Sequence, residues 1–283
     1  MYYEIGTLEN IRVKDKIQSN IEFIREFTRE EHDEYVEHST YLLLHQKNKH
    51  LYQIIVRNGE ELECYLETLE EKTMSEIQKE PDNVIFESNR LFMNYLSMIR
   101  SYLDHIPSTL SKVIGPQAKN EFNEFLSKVY DNYFEYRFIY RLRNLAQHFD
   151  LPINLLRTFQ DCSYVKIGRD HILRYEKWST VKKEIENMDE EIPVLGLATT
   201  MNLIMKLVYF CAMDLYAKGI EKAHKWVERL QKEFNSPECV LAVSNTIEDF
   251  KSKKFKIHQM RVQNFISSIS DMNEHPRINI KIK

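Results

Sequence analysis

The sequence predicts a mostly α-helical protein, and three observations predict it. Glycine and proline are scarce, 6 and 7 in 283 residues, so sharp turns are few. Apolar side chains recur every three or four residues through most of the chain, the spacing that makes one face of a helix hydrophobic. The period-two alternation of strands is limited to short stretches. At 34.1 kDa the chain is large enough for one generous core or two modest ones.

Taken in order, residues 1–80 hold 10 Lys+Arg against 18 Asp+Glu and read as an acidic, mainly helical region. Ile17, Ile21, Ile24 and Phe27 stand at helical spacing there. Residues 51–56 followed by Asn58-Gly59 also fit a strand entering a hairpin, with helix slightly favoured. Lys79-Glu80-Pro81-Asp82-Asn83 joins a proline to two good N-cap residues and opens a second region, 81–250, expected to be a helical bundle. A helix is expected over 84–106, with Leu91, Tyr95, Met98 and Tyr102 on one stripe and a stop at Pro107-Ser108. Gly115-Pro116 starts the next helix, with proline in the tolerated first turn, and the pattern continues to about His148. That helix shows one stripe through Phe122, Phe125, Val129, Tyr133, Tyr136 and Tyr140. A second runs through Phe134, Phe138, Leu142, Leu145 and Phe149. Two apolar faces need two partners: the bundle core, and either a second subunit or more of the same fold.

Leu151-Pro152 closes the helix, because proline disfavours helical geometry at the residue before it. Residues 164–167, Gly168-Arg169-Asp170 and residues 171–175 resemble a short β-hairpin insertion. After Pro193 a long buried helix is expected to about Phe234, with a break near Gly219. A basic C-terminal segment, 251–283, opens with Lys251, Lys253, Lys254 and Lys256. It continues with a helix around 262–269 and ends in an alternating stretch, 278–283, that suits an edge strand. The lysines read as a solvated face or as an extension of an RNA-binding surface.

The most hydrophobic stretch, 195–216, is interrupted by Lys206 and Asp214, which predicts a buried helix and no membrane span. Cys64, Cys162, Cys211 and Cys239 are scattered without a CxxC pair, and Met1-Tyr2-Tyr3-Glu4 has no secretory character. Free thiols in a cytoplasmic protein are the expectation. Asp104-His105, Cys162, His171 and His258 lack the paired spacing of a zinc site, so no metal and no cofactor is expected.

The chemistry concentrates in Arg143-Asn144-Leu145-Ala146-Gln147-His148, four residues before Pro152. Arg143 cannot act as a base near neutral pH, but it can hold a phosphate with two hydrogen bonds and stabilise developing negative charge. His148 carries the side chain suited to general acid–base work, and Asn144 is placed to orient that imidazole or a substrate hydroxyl. Arg137, Arg141, Arg143 and Arg157 make a local positive patch of the kind a phosphate seeks. Tyr140, one turn before Arg143, suits packing or base stacking, and Arg141 and Gln147 complete an RNA-contacting set. An arginine and a histidine without a carboxylate cluster for magnesium fit metal-independent cleavage of RNA, in which the 2′-hydroxyl attacks the adjacent phosphorus. On an ideal helix Arg143 and His148 stand roughly 140° apart. They meet at one target only if the helix ends at His148 or a twofold-related copy supplies the other half. The bland alternative pairs Arg143 with Glu135 or Asp150 and makes His148 a helix C-cap.

A long helix ending in Arg-polar-x-x-x-His resembles the HEPN superfamily, whose signature is an arginine followed by four to six residues and a histidine. Tyr136-Arg137-Phe138-Ile139-Tyr140, Leu151-Pro152-Ile153 and the segment from Asn89-Arg90-Leu91 to Asp104-His105 are also similar to bacterial and phage HEPN proteins. The resemblance covers roughly residues 83–235 and leaves 1–80 and the end of the chain unexplained. It implies an antiparallel bundle of four or five helices, flanked here by an N-terminal helical extension. It also implies a homodimer built along the motif helices, with two motifs facing one cleft. Active members are metal-independent ribonucleases in toxin–antitoxin, phage-defence or RNA-processing systems. Carried over, Arg143 and His148 are the catalytic pair, Asn144 supports them, RNA is the substrate, and an antitoxin or regulatory protein is a possible partner. Some members keep the fold without cleaving anything, which makes a protein-interaction module or an RNA- or nucleotide-binding module the alternative.

Overall fold

The computed structural model describes residues 1–13, 16–236, 238–260 and 262–280. In chain order the elements open with a strand pair, β1 (Tyr2–Val13) and β2 (Lys16–Glu26), and a long helix, α1 (Arg29–Glu70). A one-turn α2 (Met74–Ile77) precedes three helices, α3 (Pro81–Val113), α4 (Pro116–Asn132) and α5 (Phe134–His148). There follow β3 (Leu155–Thr158), β4 (Ser163–Gly168), α6 (Arg169–Leu173), α7 (Lys182–Glu186) and β5 (Glu191–Pro193). A second long helix, α8 (Val194–Phe234), leads to β6 (Cys239–Ser244), α9 (Ile247–Lys251), β7 (Lys256–Gln259) and α10 (Val262–Asn273). The protein is therefore mostly helical, with two small antiparallel sheets among the described residues. It forms two compact units, Met1–Lys47 with Met213–Lys283, and Asn48–Ala212, each taking part of α1 and of α8.

In the first unit the strands lie in the order β2-β1-β6-β7, all antiparallel. The helix expected around residues 17–27 is thus a strand, a correction with a clear cause. The β-branched run favours extended backbone, and β1 finds in β6, more than 220 residues later, a partner that local periodicity cannot reveal (Tyr2 opposite Ser244, Thr7 opposite Cys239). Ile21 and Ile24 are left exposed on β2, whereas Phe27, just beyond the strand, is buried. Gly6 is required in β1, because a Cβ there would lie 2.2 Å from the carbonyl oxygen of Glu22. Tyr3, Ile5, Phe27, Trp226, Leu241 and Phe265 belong to the core of this unit.

Gly219 does not break α8; a Cβ there would meet the Tyr41 ring at 2.2 Å, so glycine lets α1 and α8 approach closely. Residues 278–280 form no strand, and 281–283 lie outside the described residues. The helix expected around 262–269 is present as α10.

In the second unit α3 continues straight through Pro107, which is buried, to Val113. Interior proline costs roughly 3 kcal/mol through a lost hydrogen bond and a clash. Here the surrounding burial of Leu103, Ile106 and Leu110 outweighs it. The single long helix expected from Pro116 is instead two, because Tyr133 takes extended geometry (φ −119°, ψ 112°) between α4 and α5. Residues 51–59 are helical, within α1. The β-hairpin insertion exists one strand earlier than expected, as β3 and β4, with β5 added at its edge; His171 belongs to α6. Buried hydrogen bonds tie the helices: Tyr102 donates to Asn48 at 2.6 Å and Tyr95 to Asn202 at 2.6 Å.

α8 is long and apolar enough to cross a membrane by length and composition, the only such helix among the described residues. Within its most apolar window 44% is buried, with Met201, Ile204, Met205 and Val208 facing the core and Leu203 exposed.

Candidate functional site

The candidate site is built on α5, fifteen residues starting after the extended Tyr133 and ending at His148. At 100° per residue, Tyr140, Arg141, Arg143, Asn144, Gln147 and His148 fall within an arc of roughly 160°. Phe138, Ile139, Leu142 and Leu145 occupy the other side and are fully buried. The buried members of both expected stripes, Tyr136 of the first and Phe138, Leu142 and Leu145 of the second, turn inward within one chain, while Tyr133 and Phe149 at the two ends stay exposed. Phe138 stacks on the buried Trp178 at 5.7 Å, and Trp178 is fixed by donating to the Ile172 carbonyl at 2.8 Å. Phe149, half exposed, meets Tyr175. The buried part of the two-faced pattern thus finds its partners within the same chain.

The arginine patch sorts into two kinds. Arg137 is committed: it binds Glu184, at 2.9 Å through Nε, and reaches the carbonyls of Tyr130 and Asp131. Arg157 is likewise paired with Glu191. Both carboxyls are held below the usual range by those guanidinium hydrogen bonds. Arg141 and Arg143 have no carboxylate partner among the described residues, and the Nε of each is buried without an acceptor. The contact found for Arg143 is a long one, Nη1 to Asn144 Oδ1 at 3.4 Å. Neither Glu135 nor Asp150 pairs with it. A buried, unsatisfied donor costs about 1–3 kcal/mol, more if charged, so one at each edge of the polar arc of α5 requires a reason.

His148 and Gln147 are exposed at the last turn. The C-cap is Phe149, and the Leu145 carbonyl accepts from the N–H groups of both Phe149 and Asp150, so the helix ends by backbone bonds alone. Asn144 turns to Arg143 and makes no hydrogen bond with His148. Tyr140 is set apart from the motif in its partner: Arg100 donates to its hydroxyl and lies 5.0 Å over its ring.

Two groups at the site were not visible in the sequence. Asn89 of α3, 2% exposed, donates from Nδ2 to the Ile153 carbonyl at 2.7 Å and accepts from the Ile153 N–H at 3.1 Å. It clamps the chain just beyond Pro152 and so fixes where α5 ends. Asp150 caps Leu151 N–H at 2.8 Å and pairs with Arg174 at 3.2 Å. His171 donates to the Leu151 carbonyl at 2.9 Å and accepts from Arg174 through Nδ1. The signal for this second cluster was weak, since Asp150 lies more than twenty residues before His171 and Arg174. Among the described residues, no three His, Cys, Asp or Glu side chains are grouped so as to hold a metal ion.

Comparison with protein families, with curated proteins and with solved structures found no match to this chain.

Proposed function

We propose that this chain is a metal-independent endoribonuclease of HEPN type, acting in the cytoplasm as a homodimer in a toxin–antitoxin or phage-defence setting. The observation that carries the reading is a pair of arginines with no carboxylate partner among the described residues, Arg141 and Arg143, on the polar arc of α5 with an exposed His148. A phosphodiester supplies the counter-charge those side chains lack. An imidazole removes the 2′-hydroxyl proton, the 2′-oxygen attacks phosphorus, and the 5′-oxygen leaves as it takes a proton from water. Arg143 stabilises the extra negative charge on the phosphoryl oxygens in the transition state. The products are a 2′,3′-cyclic phosphate and a 5′-hydroxyl. Arg143 and His148 flank the polar arc roughly 140° apart, so two copies related by a twofold axis bring a guanidinium of one to an imidazole of the other.

The test is single-stranded RNA incubated with the purified protein in EDTA. Cleavage is expected to persist without metal and to fall at least about 100-fold in Arg143→Ala and in His148→Ala, both folded by circular dichroism. The all-deoxy version of the same strand is expected to stay intact. Binding of RNA without products in the wild type overturns the reading and selects a non-catalytic RNA-binding module.

A further inference from the structure

A cavity of about 370 Å³ opens among α3, α4 and α5. It is walled by Tyr130, Tyr136 and Tyr140 together with Arg100, Asp104 and Asp131. The rings make a corner: Tyr130 meets Tyr136 and Tyr140 edge-on, each at 6.4 Å, while Tyr136 and Tyr140 lie within 22° of parallel. Tyr136 is buried, whereas Tyr130 and Tyr140 keep part of their surfaces open. Arg100 anchors Tyr140 and is itself neutralised by Asp104 at 2.9 Å. Asp131 has no ion-pair partner among the described residues, so an uncommitted carboxylate lines the same space as the open ring faces.

This chemistry narrows the ligand. A wholly apolar molecule leaves the Asp131 carboxylate desolvated without a donor. An anion meets a net negative wall, since the one arginine is already paired. A compact cation has to displace Arg100 from the Tyr140 ring. A flat aromatic ring that carries N–H donors at its edge suits both features, stacking on tyrosine and donating to the free carboxylate. Position adds to this: Tyr140 precedes Asn144 by one helical turn on the same face, about 6 Å along the axis, the span of one nucleotide step.

We infer that the cavity is a base subsite, receiving the unstacked nucleobase next to the phosphodiester held at Arg143 and preferring the amino-bearing bases to uracil. The inference rests on the proposed RNA reading of the α5 motif. Asp131 accepts from an exocyclic amino group, and uracil has none; Tyr130, which meets its neighbours only edge-on, supplies the stacking surface. Arg100 acts as a positioning residue for Tyr140.

The test measures binding of labelled hexaribonucleotides by fluorescence anisotropy, using the full-length His148→Ala protein so that no strand is cut. Oligo-A and oligo-C are expected to bind about ten-fold or more tighter than oligo-U. Asp131→Asn, an exposed and isosteric change, is expected to shrink that preference, and Tyr130→Leu to weaken all three strands. Equal binding of oligo-A, oligo-C and oligo-U, unchanged by Asp131→Asn, overturns the subsite even if the wild type cleaves RNA. A preference that disappears in Asp131→Asn, in a protein that never cleaves, upholds the subsite and refutes only the nuclease reading.

Discussion

At the scale of single residues, the site is defined by which polar groups are satisfied and which are not. Arg137 and Arg157 are neutralised by Glu184 and Glu191, and Arg141 and Arg143 are left with buried Nε atoms and no acceptor. Asn89 is the opposite case, a buried amide whose oxygen and nitrogen both meet the Ile153 backbone. Replacing it with leucine strands a buried N–H and a buried carbonyl, each worth about 1–3 kcal/mol. Asn89→Leu is expected to lower stability by about 2–4 kcal/mol in urea denaturation; a change under about 0.5 kcal/mol refutes the clamp. The arginine and histidine of the motif were legible in the sequence because they are contiguous. Asn89 was not, since its meaning depends on Ile153, 64 positions away.

At the scale of elements, α5 is a helix whose side from Phe138 to Leu145, with Ile139 and Leu142, is covered by its own chain. Phe138 is fully buried against Trp178, so Phe138→Ala is expected to cost about 3–5 kcal/mol while leaving the oligomeric state by light scattering unchanged. A loss of dimer with little loss of monomer stability contradicts that placement. The small sheet β3-β4-β5 is laced on one side by Glu191, whose carboxyl is pushed down to about 2 by Arg157 and then by Lys166. A carboxyl lowered on folding stabilises above its unfolded value and loses that contribution as pH falls through the folded one. Stability should therefore decline between about pH 4.5 and 2, and Glu191→Gln should flatten that part of the urea–pH profile. An identical profile in the variant removes Glu191 as a contributor. Elements with local causes were readable: α10, the end of α5 before Pro152, and the helical reading of residues 51–59. Those governed by distant partners were not. β1 is a strand because β6 pairs with it, and α3 passes Pro107 because burial on both sides outweighs a missing hydrogen bond.

At the scale of the whole molecule, each unit draws on both ends or both long helices, so no cut in the sequence separates them cleanly. The first unit joins the N-terminal strands to the basic C-terminal segment through one sheet. The second holds the whole α5 motif, the Asn89 clamp and the tyrosine-lined cavity within residues 48–212. In the proposed dimer, two copies would meet along the polar arc of α5 and the RNA that bridges it. Mixing tests this most directly. Arg143→Ala and His148→Ala proteins, each silent alone, are combined, allowed to exchange subunits and given RNA in EDTA. Cleavage is predicted to return to at most about half the wild-type rate, because half of randomly exchanged dimers are mixed and keep one intact arginine–histidine pair. A mixture that stays silent while the wild type cuts contradicts the shared cleft, and a wild type that leaves RNA intact contradicts the nuclease itself.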